Sequence, residues 1–164
     1  MENQQPQKPA RNTMRGVLSH LKQMGLQPHT VIDVGAAAGT YELYETFPDA
    51  EHILIEPLQE FEEDLRNICA TYNASYILAA ADATVGTTTI YVHPEQLTGS
   101  SQLQQAEGKY ADGFPRLVPS TTVDSVCKEK GVQGPFLLKA DVREMSFKSS
   151  QEHRKYWSKQ MPSS

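Results

Sequence analysis

Two carboxylates and a turn of small residues are the features of this chain best suited to chemistry. The turn lies within Val31-Ile32-Asp33-Val34-Gly35-Ala36-Ala37-Ala38-Gly39-Thr40-Tyr41, where a short apolar run gives way to a helical one. Gly35 and Gly39 let the backbone approach a ligand closely, and Asp33 sets a carboxylate beside it. The second carboxylate is Glu56 of Ile55-Glu56-Pro57, about 20 residues beyond the turn. An acid at that spacing, ending a second strand, accepts hydrogen bonds from both hydroxyls of a ribose. A dinucleotide fingerprint beginning at Gly35 needs glycine at 37 and 40, but the chain has Ala37 and Thr40. A P-loop fails as well, because no Lys-Ser/Thr pair follows Gly39. An acid for the ribose without a pyrophosphate turn points to an adenosine-containing ligand that has no diphosphate. S-adenosylmethionine is the common one.

The elements that must position these residues follow a regular rhythm. Met14, Val17, Leu18, Leu21 and Met24 share one helical face, and Gly25 stops that helix. Thr30–Val34 is apolar without alternation, as in a strand buried on both faces. A short helix follows over Thr40–Phe47 and ends at Pro48. His52–Ile55 reads as a second strand. Pro57 can open the next helix, with Phe61, Leu65, Ile68, Cys69 and Tyr72 on its buried face. Tyr76–Ala79 reads as a third strand, Thr87–Val92 as an added one, and residues 93–120 as loop-rich. Thr122 caps a helix through Lys130, closed by Gly131, and Phe136–Asp141 is a further strand. Strand and helix in alternation predict an open, doubly wound, mostly parallel α/β sheet.

Composition removes several classes. The chain has 164 residues, which predicts one domain, and 15 basic against 20 acidic residues for a formal net charge of -5. No basic stripe suits nucleic acid, and no apolar run approaches the roughly 18 residues of a membrane span. The Gln- and Pro-rich lead, residues 1–12, lacks the apolar core of a signal peptide. Cys69 and Cys127 stand apart without a CxxC pair, so a reduced, cytoplasmic protein is expected. Cys127 reads as a small buried thiol. The five His residues have no metal-ligand spacing, and no metal is expected. Residues 143–164 are polar and read as a solvated tail.

The series of motifs resembles the FkbM family of S-adenosylmethionine-dependent methyltransferases. Besides the two stretches above, it includes Ala80-Ala81-Asp82, Gly99-Ser100-Ser101, Thr121-Thr122-Val123-Asp124-Ser125-Val126 and Leu137-Leu138-Lys139-Ala140-Asp141-Val142. The resemblance covers about residues 13–142. It implies a class I (Rossmann-like) fold, S-adenosylmethionine as cofactor, and methyl transfer to an oxygen of a small molecule or sugar. By position, Asp33, Gly35, Ala36 and Gly39 frame the methionine half of the cofactor, and Glu56 holds the ribose. Ala81 and Asp82 fall where the adenine lies; Asp82 either bonds its amino group or is a solvent-facing loop residue. The Tyr41 hydroxyl reaches the carboxylate end, or its ring simply packs. Asp141 is the candidate base or acceptor-orienting group, unless it caps the following turn. Ser100 and Ser101 line the acceptor side or close a loop.

Two departures stand out. The family often has Asn where this chain has Ala37. After Asp141-Val142 the usual Gly and second Glu are replaced by Arg143-Glu144-Met145-Ser146. The resemblance therefore implies a domain truncated after its fourth core strand, its C-terminal half missing, with little or no turnover. The strand ending at Asp141 would be a sheet edge through which the chain could self-associate. The alternative is a non-catalytic α/β fragment or interaction module.

Overall fold

The computed structural model describes residues 12–95, 97–100 and 113–141. Most of the lead, Ser101 and the tail from 143 lie outside the described residues. The first element is helix α1, Met14–Gln23, capped by Thr13, whose hydroxyl accepts from the Gly16 amide at 3.1 Å. Gly25 ends it with φ +93, and the Leu26 amide turns back to the Leu21 carbonyl at 3.0 Å. Only part of its apolar stripe is covered: Leu18 is buried, whereas Met14, Val17 and Met24 are exposed.

The remaining elements are β1 Thr30–Val34, α2 Tyr41–Thr46, β2 Glu51–Glu56, α3 Glu62–Thr71, β3 Ala74–Leu78, β4 Ala80–Ala81, β5 Gly86–Val92, β6 Phe114–Thr121, α4 Val123–Glu129 and β7 Phe136–Ala140. The central sheet is parallel, in the order β3-β2-β1-β7. All of β1 is buried, as its unbroken apolar run predicts, while the flanking β3 and β7 are half-buried. Val31 and Leu54 pack one face of the sheet against Leu18, Leu43, Tyr44, Leu65 and Ile68 of α1, α2 and α3. Ile32, Val34, Ile53 and Ile55 pack the other face against Val126 and Cys127 of α4. The protein is thus an α/β fold with helices on both faces of a parallel sheet. Cys127 is buried as expected, and burial pushes its thiol up to about 11. No helix among the described residues is long and apolar enough to cross a membrane.

Two expectations need correcting. Pro57 does not open a helix. The carboxylate of Glu56 takes the Leu58 amide at 2.9 Å and holds Leu58 extended, so a 3-10 turn begins only at Gln59 and α3 at Glu62. The stretch 93–120 is also not all loop. Phe114–Thr121 is β6, the middle strand of a second sheet, β4-β6-β5, and pairs antiparallel with β5 over most of its length. Pro115 and Pro119 argue against a strand. They are accommodated because β4 pairs with β6 only at Ser120 and Thr121, leaving the rest of that side open. Leu58, Phe61, Ala80, Ile90, Val92 and Val118 form a third buried cluster that joins this sheet to the loop after β2.

Candidate functional site

From β1 the chain runs outward through β2 to β3, then returns to place β7 on the other side of β1. Such a reversal opens a crevice at the carboxyl ends of the two strands that flank it, here β1 and β7. Asp33 stands there, fully buried in β1, in register with Lys139 on β7. A carboxylate in that position is costly unless charge and hydrogen bonds compensate it. Both are supplied. The Lys139 Nζ lies 2.9 Å from Asp33 Oδ1; the contact lacks hydrogen-bond geometry and acts through charge. The same ammonium donates to the Gly35 carbonyl at 3.0 Å. On the other side Tyr44, from the inner face of α2, donates its hydroxyl to Asp33 Oδ2 at 2.6 Å. Burial, and then the neighbouring charge of Asp33, raise the Tyr44 hydroxyl far above its ordinary value, so it stays a donor.

Most amides of the turn already have acceptors within the protein. The Gly35 and Ala36 amides both point to the Ile55 carbonyl, at 2.9 and 3.4 Å. The Ala37 amide donates to Glu56 Oε2 at 2.9 Å, the Gly39 amide to the Ala36 carbonyl at 2.7 Å, and the Thr40 amide to the Tyr44 hydroxyl at 3.0 Å. Ala37 holds φ +47, a left-handed conformation uncommon for a residue with a side chain. Gly39 has φ +109, which favours glycine, and a Cβ there would lie 2.6 Å from Ile68 Cδ1, so the end of that side chain would have to shift.

Glu56 ends β2 beside this turn and is only 4% exposed. Its second oxygen, Oε1, accepts from the Leu58 amide. Burial raises its carboxyl above the ordinary value, Asp33 adds to that, and the two amide bonds and the Lys139 charge act against it. Each oxygen keeps a lone pair beyond its amide bond, which is what a vicinal diol needs.

No family model, curated protein or solved structure matches this chain.

Of the residues expected at the site, Asp33, Gly35, Ala36, Gly39 and Glu56 converge on this turn. Ala81 is buried in the cluster that contains Val34 and Ile55. Asp82 serves its own loop, where its Oδ1 accepts from the Ala83 amide at 2.6 Å and its own amide bonds the Thr121 carbonyl at 2.8 Å. Tyr41 is exposed at the start of α2, with its ring edge-on to Tyr44 at 6.0 Å. Asp141 is exposed just past β7, its amide on the Val34 carbonyl at 3.0 Å. The Ser100 hydroxyl accepts from the His93 amide at 3.2 Å, so it closes a loop. The parts played by Lys139 and Tyr44 are not evident from the sequence. The signal for Lys139 is a lone cation inside an otherwise apolar strand, which must find a partner when half-buried. A cleft of about 380 Å³ lined by Lys22, His29, Phe47 and Asp49 lies at the opposite, amino ends of β1 and β2, away from these groups.

Proposed function

We propose that this chain binds S-adenosylmethionine at the carboxyl ends of β1 and β2, as the cofactor domain of an FkbM-type class I methyltransferase acting on a hydroxyl of a small molecule or sugar. The observation that carries this reading is the turn, five of whose amides are engaged, set against a buried carboxylate. A phosphate-binding turn must offer unpaired N–H groups to its anion. Here the Gly35, Ala36, Ala37, Gly39 and Thr40 amides already have acceptors within the protein. Two carboxylates next to the turn also disfavour an anion. Glu56, in contrast, suits the hydroxyl donors of a ribose, and its negative charge tolerates a cationic ligand. The residues therefore fit a nucleoside cofactor without phosphates better than a dinucleotide.

When bound, the cofactor supplies a methyl group on a positively charged sulfur. Glu56 accepts the ribose hydroxyls, and the Gly35–Gly39 backbone frames the amino-acid half. Asp141, exposed across the crevice, orients an acceptor hydroxyl or takes its proton. Positioning supplies much of the rate in a displacement of this kind.

A second reading is a non-catalytic module. It is favoured by the occupied state of Glu56, both of whose oxygens already serve the backbone. Calorimetric titration with S-adenosylmethionine separates the two, with NAD and ATP as controls and with Glu56→Gln and Glu56→Ala alongside. Micromolar binding that both substitutions weaken, with the controls silent, supports the methyltransferase reading. Silence from a chain with a cooperative melt leaves the module.

A further inference from the structure

We infer that Lys139 is a positioning residue: its ammonium locks the register of β7 against β1 and, through Asp33, holds both ends of the glycine turn. The apolar residues of β7 do not fix that register by themselves. Leu137 packs on one face of the sheet and Phe136 and Leu138 on the other, so a one-residue slip, which exchanges the faces, still leaves apolar side chains on both. A slip by one residue would bring Leu138 or Ala140 opposite Asp33 and leave a buried carboxylate without its cation. Lys139, with a side chain 11% exposed, is the group that penalises that slip. An apolar pair would pack as well, so the ion pair is explained by specificity and not by stability.

The same ammonium reaches past Asp33 to the Gly35 carbonyl, the first of the turn. Asp33 in turn orients the Tyr44 hydroxyl, which accepts the Thr40 amide, the last of the turn. One cation thereby fixes the turn at both ends. It also sets where Asp141 emerges, two residues further along the chain. The consequences for a ligand rest on the cofactor reading above; those for the turn do not.

The test uses the full chain without ligand. Amide hydrogen exchange at Ala37 and Thr40 is measured in wild type, Lys139→Met, Lys139→Arg and Leu137→Ala, the last a control for simple weakening of β7. Lys139→Met is expected to speed exchange at both amides about tenfold beyond the control at equal loss of melting temperature, with Lys139→Arg recovering most of the protection. Equal acceleration in Lys139→Met and Leu137→Ala, or none in Lys139→Met, overturns the inference. If Lys139→Met does not fold, Asp33→Asn with Lys139→Met removes both charges and carries the same comparison. Titration with S-adenosylmethionine is run in parallel. Wild type that does not bind it sinks the cofactor reading, while the exchange result still decides the role of Lys139.

Discussion

Ala37 sits in a left-handed conformation with its amide on Glu56, so the middle of the turn is under backbone strain. Ala37→Gly relieves it and is expected to raise stability by about 0.5–1 kcal/mol after the added freedom of the unfolded chain is subtracted, read by chemical denaturation. Gly39→Ala acts in the opposite sense. Its φ is positive and its Cβ would push the end of the Ile68 side chain aside, so a loss of about 1–3 kcal/mol is expected. Glu56 adds a pH dependence. Its carboxyl is raised in the folded chain, so the stability it contributes is complete below its ordinary value of 4.5 and is lost as pH rises through the raised folded value. Glu56→Gln has no proton to lose. It forfeits one amide bond, yet the melting-temperature advantage of wild type over it should shrink as pH rises from below 4.5 toward neutrality. An advantage that stays constant across that window would mean that Glu56 ionises as easily folded as unfolded. At this scale the convergence of two carboxylates and two glycines on one turn is legible in the sequence, because type and spacing suffice to mark them. Tyr44 and Lys139 are not, since their roles depend on which neighbours the fold brings to Asp33.

Among the elements, those of the parallel sheet are readable and those of the second sheet only half so. A strand buried on both faces leaves an unbroken apolar run, which is why β1 and β2 stand out in the sequence. β6 does not, because its two prolines lie along a largely open side and its outer positions are exposed. The helix after β2 is readable in its buried face but not in its start, which a side chain, Glu56, displaces. The antiparallel pair of β5 and β6 is tied to this same loop by Arg116, whose Nη1 reaches both Glu60 oxygens at 2.6 and 2.9 Å. Both partners are substantially exposed, so the clasp contributes modestly. Arg116→Ala should cost about 0.5 kcal/mol at low salt and nearly nothing at high salt, measured as the difference in melting temperature. A larger, salt-independent loss would mean that the arginine stem, and not its charge, holds the pair.

For the molecule as a whole, Leu58 and Phe61 help to join the two sheets, packed against Ile90, Val92 and Val118, as Ala81 does against Val34 and Ile55. Leu58 is 2% exposed, and Leu58→Ala should remove about 2–4 kcal/mol. The two sheets should still unfold in one transition, with far-ultraviolet circular dichroism and tyrosine signals coinciding. Two separate transitions would mean that the second sheet melts on its own. The α/β architecture is legible at this scale from the alternation of strand and helix. The position of β7 beside β1 is not, because sequence order places it last and only the sheet reveals it as a partner of β1.

That placement has a consequence in time. The Gly35 carbonyl and the Lys139 ammonium that meets it are 104 residues apart along the chain. A polypeptide growing from its amino end completes Asp33, Tyr44 and Glu56 long before their counter-charge exists. Until then β1 has an open edge and a carboxylate that water must satisfy. Pairings this distant form slowly, because the intervening loop must close before contacts reward it. Among the described residues the crevice therefore matures late, and a nascent chain interrupted before residue 139 carries three of the four strands of the parallel sheet without the cation that faces Asp33.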